Sequence, residues 1–328
     1  MKKVIIIIGT RPEAIKMAPL ILKLKTSKIL EPYVLCTGQH KNLVLEVLNV
    51  FNINADKWFN INFSSESNNR PDELVQLASN LLGNIGPIFN EIKPDYVCVQ
   101  GDTTSAMIAS LASFYMKIKF IHIEAGLRSN SLTNPYPEEY NRKVISIAAD
   151  YNFCPTIESA NNLKKENITK NIYIVGNTVA DALFYIKNKL KLKKHTSTQM
   201  ILITSHRREN WGEPLEEICK AIKKLSNKYN NYKFIYFCHP NPIVLKTVNA
   251  ILNNTNVIIK NSSPYDEFLY YLCNSKIIIT DSGGIQEEAS ILGIPTIVTR
   301  EFTERPEGLK GPLKLMGSNK RRFKINRK

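Results

Sequence analysis

Ile277-Ile278-Ile279-Thr280-Asp281-Ser282-Gly283-Gly284-Ile285-Gln286-Glu287-Glu288-Ala289-Ser290 is the stretch whose reading decides the fold. A short β-branched run ends in Asp-Ser-Gly-Gly and passes into good helix formers, so it reads as strand, tight turn and helix. Gly283 and Gly284 carry no Cβ, which lets a phosphate come close to the main chain. The N–H groups and the positive dipole end of the helix start favour an anion there. Ser282 adds a hydroxyl donor. Glu288 lies four residues past Gly284 on the same helix face, where a carboxylate accepts from a neutral diol such as a ribose. The competing reading is a glycine-rich turn, capped by Ser282, that binds nothing.

Outward from this stretch the same unit recurs. Apolar, strand-like runs stand at 201–204, 234–237, 257–259 and 296–298, and earlier at 4–8, 33–37, 96–99, 120–123, 151–154 and 172–175. Amphipathic helical stretches such as 72–92 separate them, and this alternation predicts α/β architecture with doubly wound parallel sheets. Two Rossmann-like domains are expected, 1–178 and 179–317, with a basic amphipathic stretch at 179–194 as the connection. Their strand exits would face a common cleft. Residues 52–71 are polar and aromatic without a period and read as a loop, and residues 318–328 read as a basic, disordered tail.

The 328 residues carry a net charge of +15, but lysine is spread along the chain and concentrates only in that tail. A diffuse excess of this kind draws anionic ligands without specifying one, so no nucleic-acid partner is expected. The six cysteines are far apart and mostly within or beside apolar runs, which reads as reduced core residues with no metal site. No segment has the length of a membrane span or a signal peptide, so a cytoplasmic protein with no membrane partner is expected. The first turn, Gly9-Thr10-Arg11-Pro12, is not G-x-G-x-x-G, and G-x-x-x-x-G-K-[ST] is absent, so neither NAD nor any other cofactor is expected.

The candidate site residues stand at strand exits. Arg11, Lys16, Asp102, Glu124, Glu138 and Arg142 come from the first half, and His206, Arg207, His239, Ser282, Gly283, Gly284, Glu288 and Arg305 from the second. One side is rich in carboxylates, the other in cations plus a phosphate-type turn. Each residue also has a plain reading. Asp102 can cap the helix after it, Glu138 suits a helix start, Arg142 can pair with Glu138 at i,i+4, and His206 can be a satisfied polar residue.

Seven motifs, in order along the chain, carry a resemblance. They are Gly9-Thr10-Arg11-Pro12-Glu13-Ala14-Ile15-Lys16, Gly101-Asp102-Thr103-Thr104, Glu124-Ala125-Gly126-Leu127-Arg128, Pro137-Glu138-Glu139 with Asn141-Arg142, His206-Arg207-Arg208-Glu209-Asn210, Asp281 to Glu288, and Thr303-Glu304-Arg305-Pro306-Glu307. Together they resemble the non-hydrolysing UDP-N-acetylglucosamine 2-epimerases. The resemblance implies a GT-B-like fold, a homodimer, and interconversion of UDP-GlcNAc and UDP-ManNAc without a redox cofactor. It implies anti elimination of UDP to 2-acetamidoglucal and re-addition, in the service of surface polysaccharide precursors. By the same resemblance Asp102, Glu124 and Glu138 are acid/base groups, assisted by His206 and Arg142. Arg11 and Lys16 lie near the diphosphate, and Ser282, Gly283, Gly284, Glu288 and Arg305 hold UDP. Gln39, Arg70, Arg207 and His239 match a second, activating UDP-GlcNAc site. Family members continue past the Thr-Glu-Arg-Pro-Glu motif through further helices, so a shortened C-terminus is expected here. The alternatives are a catalytically impaired nucleotide-sugar-binding remnant and a 2-epimerase of another UDP-2-acetamido sugar.

Overall fold

The computed structural model describes residues 1–59, 72–133, 135–191, 199–205, 207, 210–261, 263–300 and 311–316. The chain divides into two compact units, Met1–Tyr185 and Ile186–Lys328. The first carries β1 (Lys2–Ile8), α1 (Arg11–Lys25), β2 (Leu30–Cys36), α2 (Lys41–Val50), β3 (Lys57–Trp58), α3 (Glu73–Ile92), β4 (Tyr96–Gln100), α4 (Thr104–Tyr115), β5 (Lys119–Ile123), α5 (Glu138–Ala148), β6 (Tyr151–Cys154), α6 (Ile157–Lys165) and β7 (Ile172–Ile174). Helix α7 (Val179–Lys189) runs across the division. The second carries β8 (Met200–Ser205), α8 (Glu213–Lys228), β9 (Lys233–Cys238), α9 (Pro242–Leu252), β10 (Val257–Lys260), α10 (Tyr265–Cys273), β11 (Ile277–Thr280), α11 (Gly283–Ile291), β12 (Thr296–Val298) and β13 (Leu313–Leu315).

Strand order in the first unit is β3-β2-β1-β4-β5-β6-β7, and in the second β10-β9-β8-β11-β12-β13, with every described pair parallel. In both sheets the chain order reverses beside the first strand. β2 and β4 flank β1, and β9 and β11 flank β8. A crevice opens at such a switch point outside the carboxyl ends of the strands, and open α/β sheets bind ligands there.

The apolar runs form these sheets because both faces are covered. Residues 4–8 of β1 are buried throughout. Ile5 and Ile7 share one cluster with Leu81, Ile85 and Phe89 of α3 and Ala109 of α4, and burying each isoleucine contributes about 1.5–3 kcal/mol. In the second unit Ile201 and Ile203 of β8 pack with Leu215, Ile218 and Ile222 of α8 and with Val244 and Val248 of α9. The three- and four-residue spacing in α8 puts that stripe inward and leaves Lys223 and Lys224 in solvent.

All six cysteines are buried, and none forms a disulfide. Burial pushes the thiols of Cys36, Cys98 and Cys219 up to about 12, which keeps them protonated and unreactive. Strand β13 departs from the sequence reading, which places no element after residue 307. Its three residues pair with β12 from Thr296↔Leu313 to Val298↔Leu315. A strand that short shows no alternation, and the open edge of β12 supplies the order. The stretch read as a loop includes β3, which pairs with β2 through Lys57 and Trp58. Residues 60–71 and the tail at 318–328 lie outside the described residues. Among the described residues no helix is long and apolar enough to cross a membrane.

Candidate active site

In the first unit β4 and β5 lie side by side, with Gln100 opposite Ile123, so Asp102 and Glu124 emerge from neighbouring strand ends. The helix after β4 is capped by Thr103, whose side chain accepts from Ala106 N at 3.1 Å. Asp102 is thereby released from the capping role that its position allows. Its Oδ2 accepts from Arg142 Nη1 at 2.9 Å, and its backbone carbonyl accepts from Asn141 Nδ2 at 2.9 Å. Arg142 also donates through Nε to Glu139, which is fully buried and accepts the N–H groups of Ser129 and Asn130 as well. Arg142 Nη2 is buried with no acceptor among the described residues, which leaves a charged donor beside Asp102.

Glu124 is 7% exposed and sits at φ 66°, a left-handed conformation uncommon for a residue with a Cβ. Strain of this kind is retained where the surroundings over-determine the residue. Here Lys16 Nζ and Gln100 Nε2 both donate to Glu124 Oε2, at 2.5 and 2.7 Å. Lys16 comes from the buried face of α1, so the cation expected near a diphosphate is paired with a carboxylate in this unit. Arg11 opens α1 half-buried. Glu138 opens α5, also half-buried.

Glu13 fastens these exits together, a role its helix-start position hides. Its Oε2 accepts from Gly9 N, Thr10 N and Thr10 Oγ1, and its Oε1 accepts from Thr103 Oγ1 at 2.6 Å. Burial raises the Glu13 carboxyl above its ordinary value, and these bonds pull the other way. Gln39, after β2, accepts from Ser105 Oγ at 3.0 Å.

In the second unit β11 ends at Thr280 and α11 starts at Gly283. Ser282 is the N-cap residue, extended at φ −77° and ψ 125°, and its side chain makes no cap bond. The side-chain cap of the competing reading is therefore not formed. Among the described residues a Cβ added at Gly284 would meet nothing within 4 Å. Asp281 is fully buried, and its Oδ2 accepts from Ser205 Oγ, Arg207 N and Asn210 Nδ2 at 2.9, 3.1 and 2.8 Å. It pins the exit of β8 to that of β11, the two strands at the switch point. Glu288 is 4% exposed and accepts from Tyr265 Oη at 2.6 Å. His239, after β9, accepts from Asn241 N at 3.2 Å, with its ring 6.4 Å from that of Trp211.

The family profile described as UDP-N-acetylglucosamine 2-epimerase matches residues 22–326. The UDP-N-acetylglucosamine 2-epimerase of Campylobacter jejuni is 42% identical, over 97% of this chain and 87% of its own length. That of Escherichia coli K12 is 40% identical, over 98% and 88%. The chain belongs to the UDP-N-acetylglucosamine 2-epimerase family. It is thus an epimerase, an isomerase by reaction class. A structure of the Neisseria meningitidis UDP-GlcNAc 2-epimerase, bound to UDP-GlcNAc, superposes with a TM-score of 0.91 at 41% identity, covering 98% of this chain and 89% of that one. The Methanocaldococcus jannaschii enzyme, in complex with UDP-GlcNAc and UDP, gives 0.85 at 31% identity, over 98% and 91%. The paired Rossmann-like units are accordingly of the GT-B-like kind seen in these epimerases.

Three residues that the family resemblance singles out, Arg70, His206 and Arg305, lie outside the described residues. Four supporting residues escaped the sequence reading as parts of the site: Glu13, Gln100, Glu139 and Tyr265. The first three stand within or beside quoted motifs, where their type alone cannot tell a ligand contact from a brace. Tyr265 has no such flag, because it reaches Glu288 only through the fold.

Proposed function

We propose that the protein interconverts UDP-GlcNAc and UDP-ManNAc, with acidic groups of the first unit acting on the sugar and α11 holding the diphosphate. The observation that carries this reading is the pair of acidic exits on adjacent strands, Asp102 on Arg142 and Glu124 between Lys16 and Gln100. The C2 hydrogen is weakly acidic, so its removal needs a positioned base, while the departing UDP needs donors and positive potential. Elimination gives 2-acetamidoglucal and UDP. Re-addition of UDP with a proton delivered to the opposite face of C2 inverts that carbon. Two faces require more than one acid/base group, and Asp102, Glu124 and Glu138 supply three carboxylates. Arg142, whose Nη2 has no acceptor among the described residues, is suited to a developing charge. The N–H groups at the start of α11, Ser282 and Glu288 would take the diphosphate and ribose.

Incubation with UDP-GlcNAc in deuterium oxide tests the reaction. Label at C2 of both recovered UDP-GlcNAc and UDP-ManNAc is expected. Binding without label would reduce the protein to a nucleotide-sugar-binding module, and label found only when another UDP-2-acetamido sugar is supplied instead would move the substrate.

The nucleotide end is tested by Gly284→Ala. Alanine is the better helix former by up to about 1 kcal/mol, and its methyl meets no atom of the described residues, so Tm holds or rises. The same methyl stands where an anion would approach the main chain, so the Kd for UDP rises about tenfold or more. Unchanged UDP affinity would remove α11 as the diphosphate site.

A further inference from the structure

His122 is a buried histidine of β5, fully shielded from solvent, that the reaction outlined above does not use. Its Nε2 lies 2.8 Å from the carbonyl oxygen of Gly101. A carbonyl only accepts, so Nε2 carries the proton and the ring is held in one tautomer. Nδ1 is buried with no partner among the described residues, so nothing stabilises a second proton there. Burial, reinforced by the charges of Arg128 and Arg142, pushes the imidazole down to about 4 against the bond to Gly101. The ring is a neutral donor at working pH.

The acceptor of that bond is the residue before Asp102. Gly101 takes φ +76°, and its own N–H donates to Ile123 O at 3.0 Å. Strand β5 therefore grips the Gly101 residue twice, by a main-chain acceptor at Ile123 and a side-chain donor at His122. Beyond it, Asn141 holds the Asp102 carbonyl and Arg142 its carboxylate. Glycine at φ +76° has no side chain to limit its rotation, and the turn's direction depends on these bonds. Without the His122 bond the Gly101 carbonyl loses its side-chain donor among the described residues, and the peptide linking Gly101 to Asp102 turns to find another partner.

We propose that His122 is a positioning residue for Asp102, a neutral imidazole whose Nε2–H fixes the Gly101 carbonyl and thereby the direction in which the Asp102 carboxylate leaves β4. This rests on the reading of Asp102 as an acid/base group. Misplacement by about 1 Å costs on the order of a hundredfold in rate, and loss of an outer-shell partner typically tenfold to a hundredfold.

His122→Phe, which keeps a ring but no donor, and His122→Gln, which keeps an N–H, are compared in the full-length protein. His122→Phe lowers kcat about 10- to 100-fold with KM within about threefold, and His122→Gln recovers most of the loss. Asp102→Asn combined with His122→Phe is no slower than Asp102→Asn alone, because the two act through one group. Wild-type kcat in His122→Phe, equal losses in both His122 variants, or additive losses in the double variant overturn the proposal. Near-wild-type turnover in Asp102→Asn instead overturns the underlying reading. Should His122→Phe not fold, the wild type still decides. Its long-range 1H–15N spectrum shows His122 neutral and protonated at Nε2 from pH 5 to 8, and a ring protonated at Nδ1 in that range sinks the idea.

Discussion

Asp102→Asn and Glu124→Gln each lower kcat for epimerisation by 10²- to 10⁴-fold, on the order expected for loss of a general acid or base, while the Kd for UDP changes less than about threefold. The substitutions are nearly isosteric, so they remove charge and proton transfer while leaving volume in place. Asp102→Asn is the cleaner of the two, because its carboxylate is partly solvated and its partner Arg142 retains Glu139. Glu124→Gln also removes a buried carboxylate to which Lys16 Nζ donates. Removing one member of a buried pair costs about 3–5 kcal/mol, so loss of fold would imitate loss of chemistry. The double variant Lys16→Met with Glu124→Gln separates them, since it deletes both charges. Its Tm recovers toward wild type and its turnover does not. Turnover that returns with stability would show that Glu124 serves only to hold Lys16. Near-normal rates in both Asp102→Asn and Glu124→Gln would end the acid/base assignment.

Gly126→Ala is expected to be the most damaging single methyl added to the first unit. Gly126 lies in the loop that begins with Glu124, at φ +84°, and a Cβ there would stand 2.2 Å from the carbonyl oxygen of Ser159 in α6. That oxygen belongs to main chain in a helix, so the contact is relieved only by moving α6 or the loop. The left-handed conformation alone costs an L-residue about 1–2 kcal/mol, and the overlap adds overpacking of about 1–3 kcal/mol. The sum lowers Tm by roughly 10 °C in a unit of this size. Gly176→Ala is the control, because Gly176 has φ +80° but no described residue within 4 Å of the added Cβ. It should show the conformational cost alone. Equal shifts in the two variants, read by thermal unfolding, would mean that the loop and α6 separate easily and that Glu124 is not braced from below.

The alternation of buried strands and amphipathic helices was legible because each strand is covered on both faces and each helix on one, which leaves periodic marks in a linear chain. The runs at 4–8, 96–99 and 277–280 therefore announced themselves, whereas β3 and β13, with two and three residues, did not. Polar residues just after apolar runs pointed to the carboxyl ends of strands, so the acidic exits Asp102 and Glu124 and the Gly283-Gly284 turn could be marked without coordinates. Sequence determined which chemical groups stand at strand ends and, through seven ordered motifs, which family they belong to.

Partnership was decided only by the tertiary structure. The order of strands places β1 beside β4 and β8 beside β11, and nothing local in the chain encodes that crossover. It makes Arg142 the partner of Asp102 rather than only a helix neighbour of Glu138, gives Lys16 to Glu124, and puts His122 under Gly101. Residues 40, 108 and 21 positions apart, respectively, meet in these bonds. Local propensity acts over a few residues, whereas a hydrogen bond between two strand exits depends on where the whole sheet puts them. Hence the groups were readable in one dimension, and their pairing existed only in three.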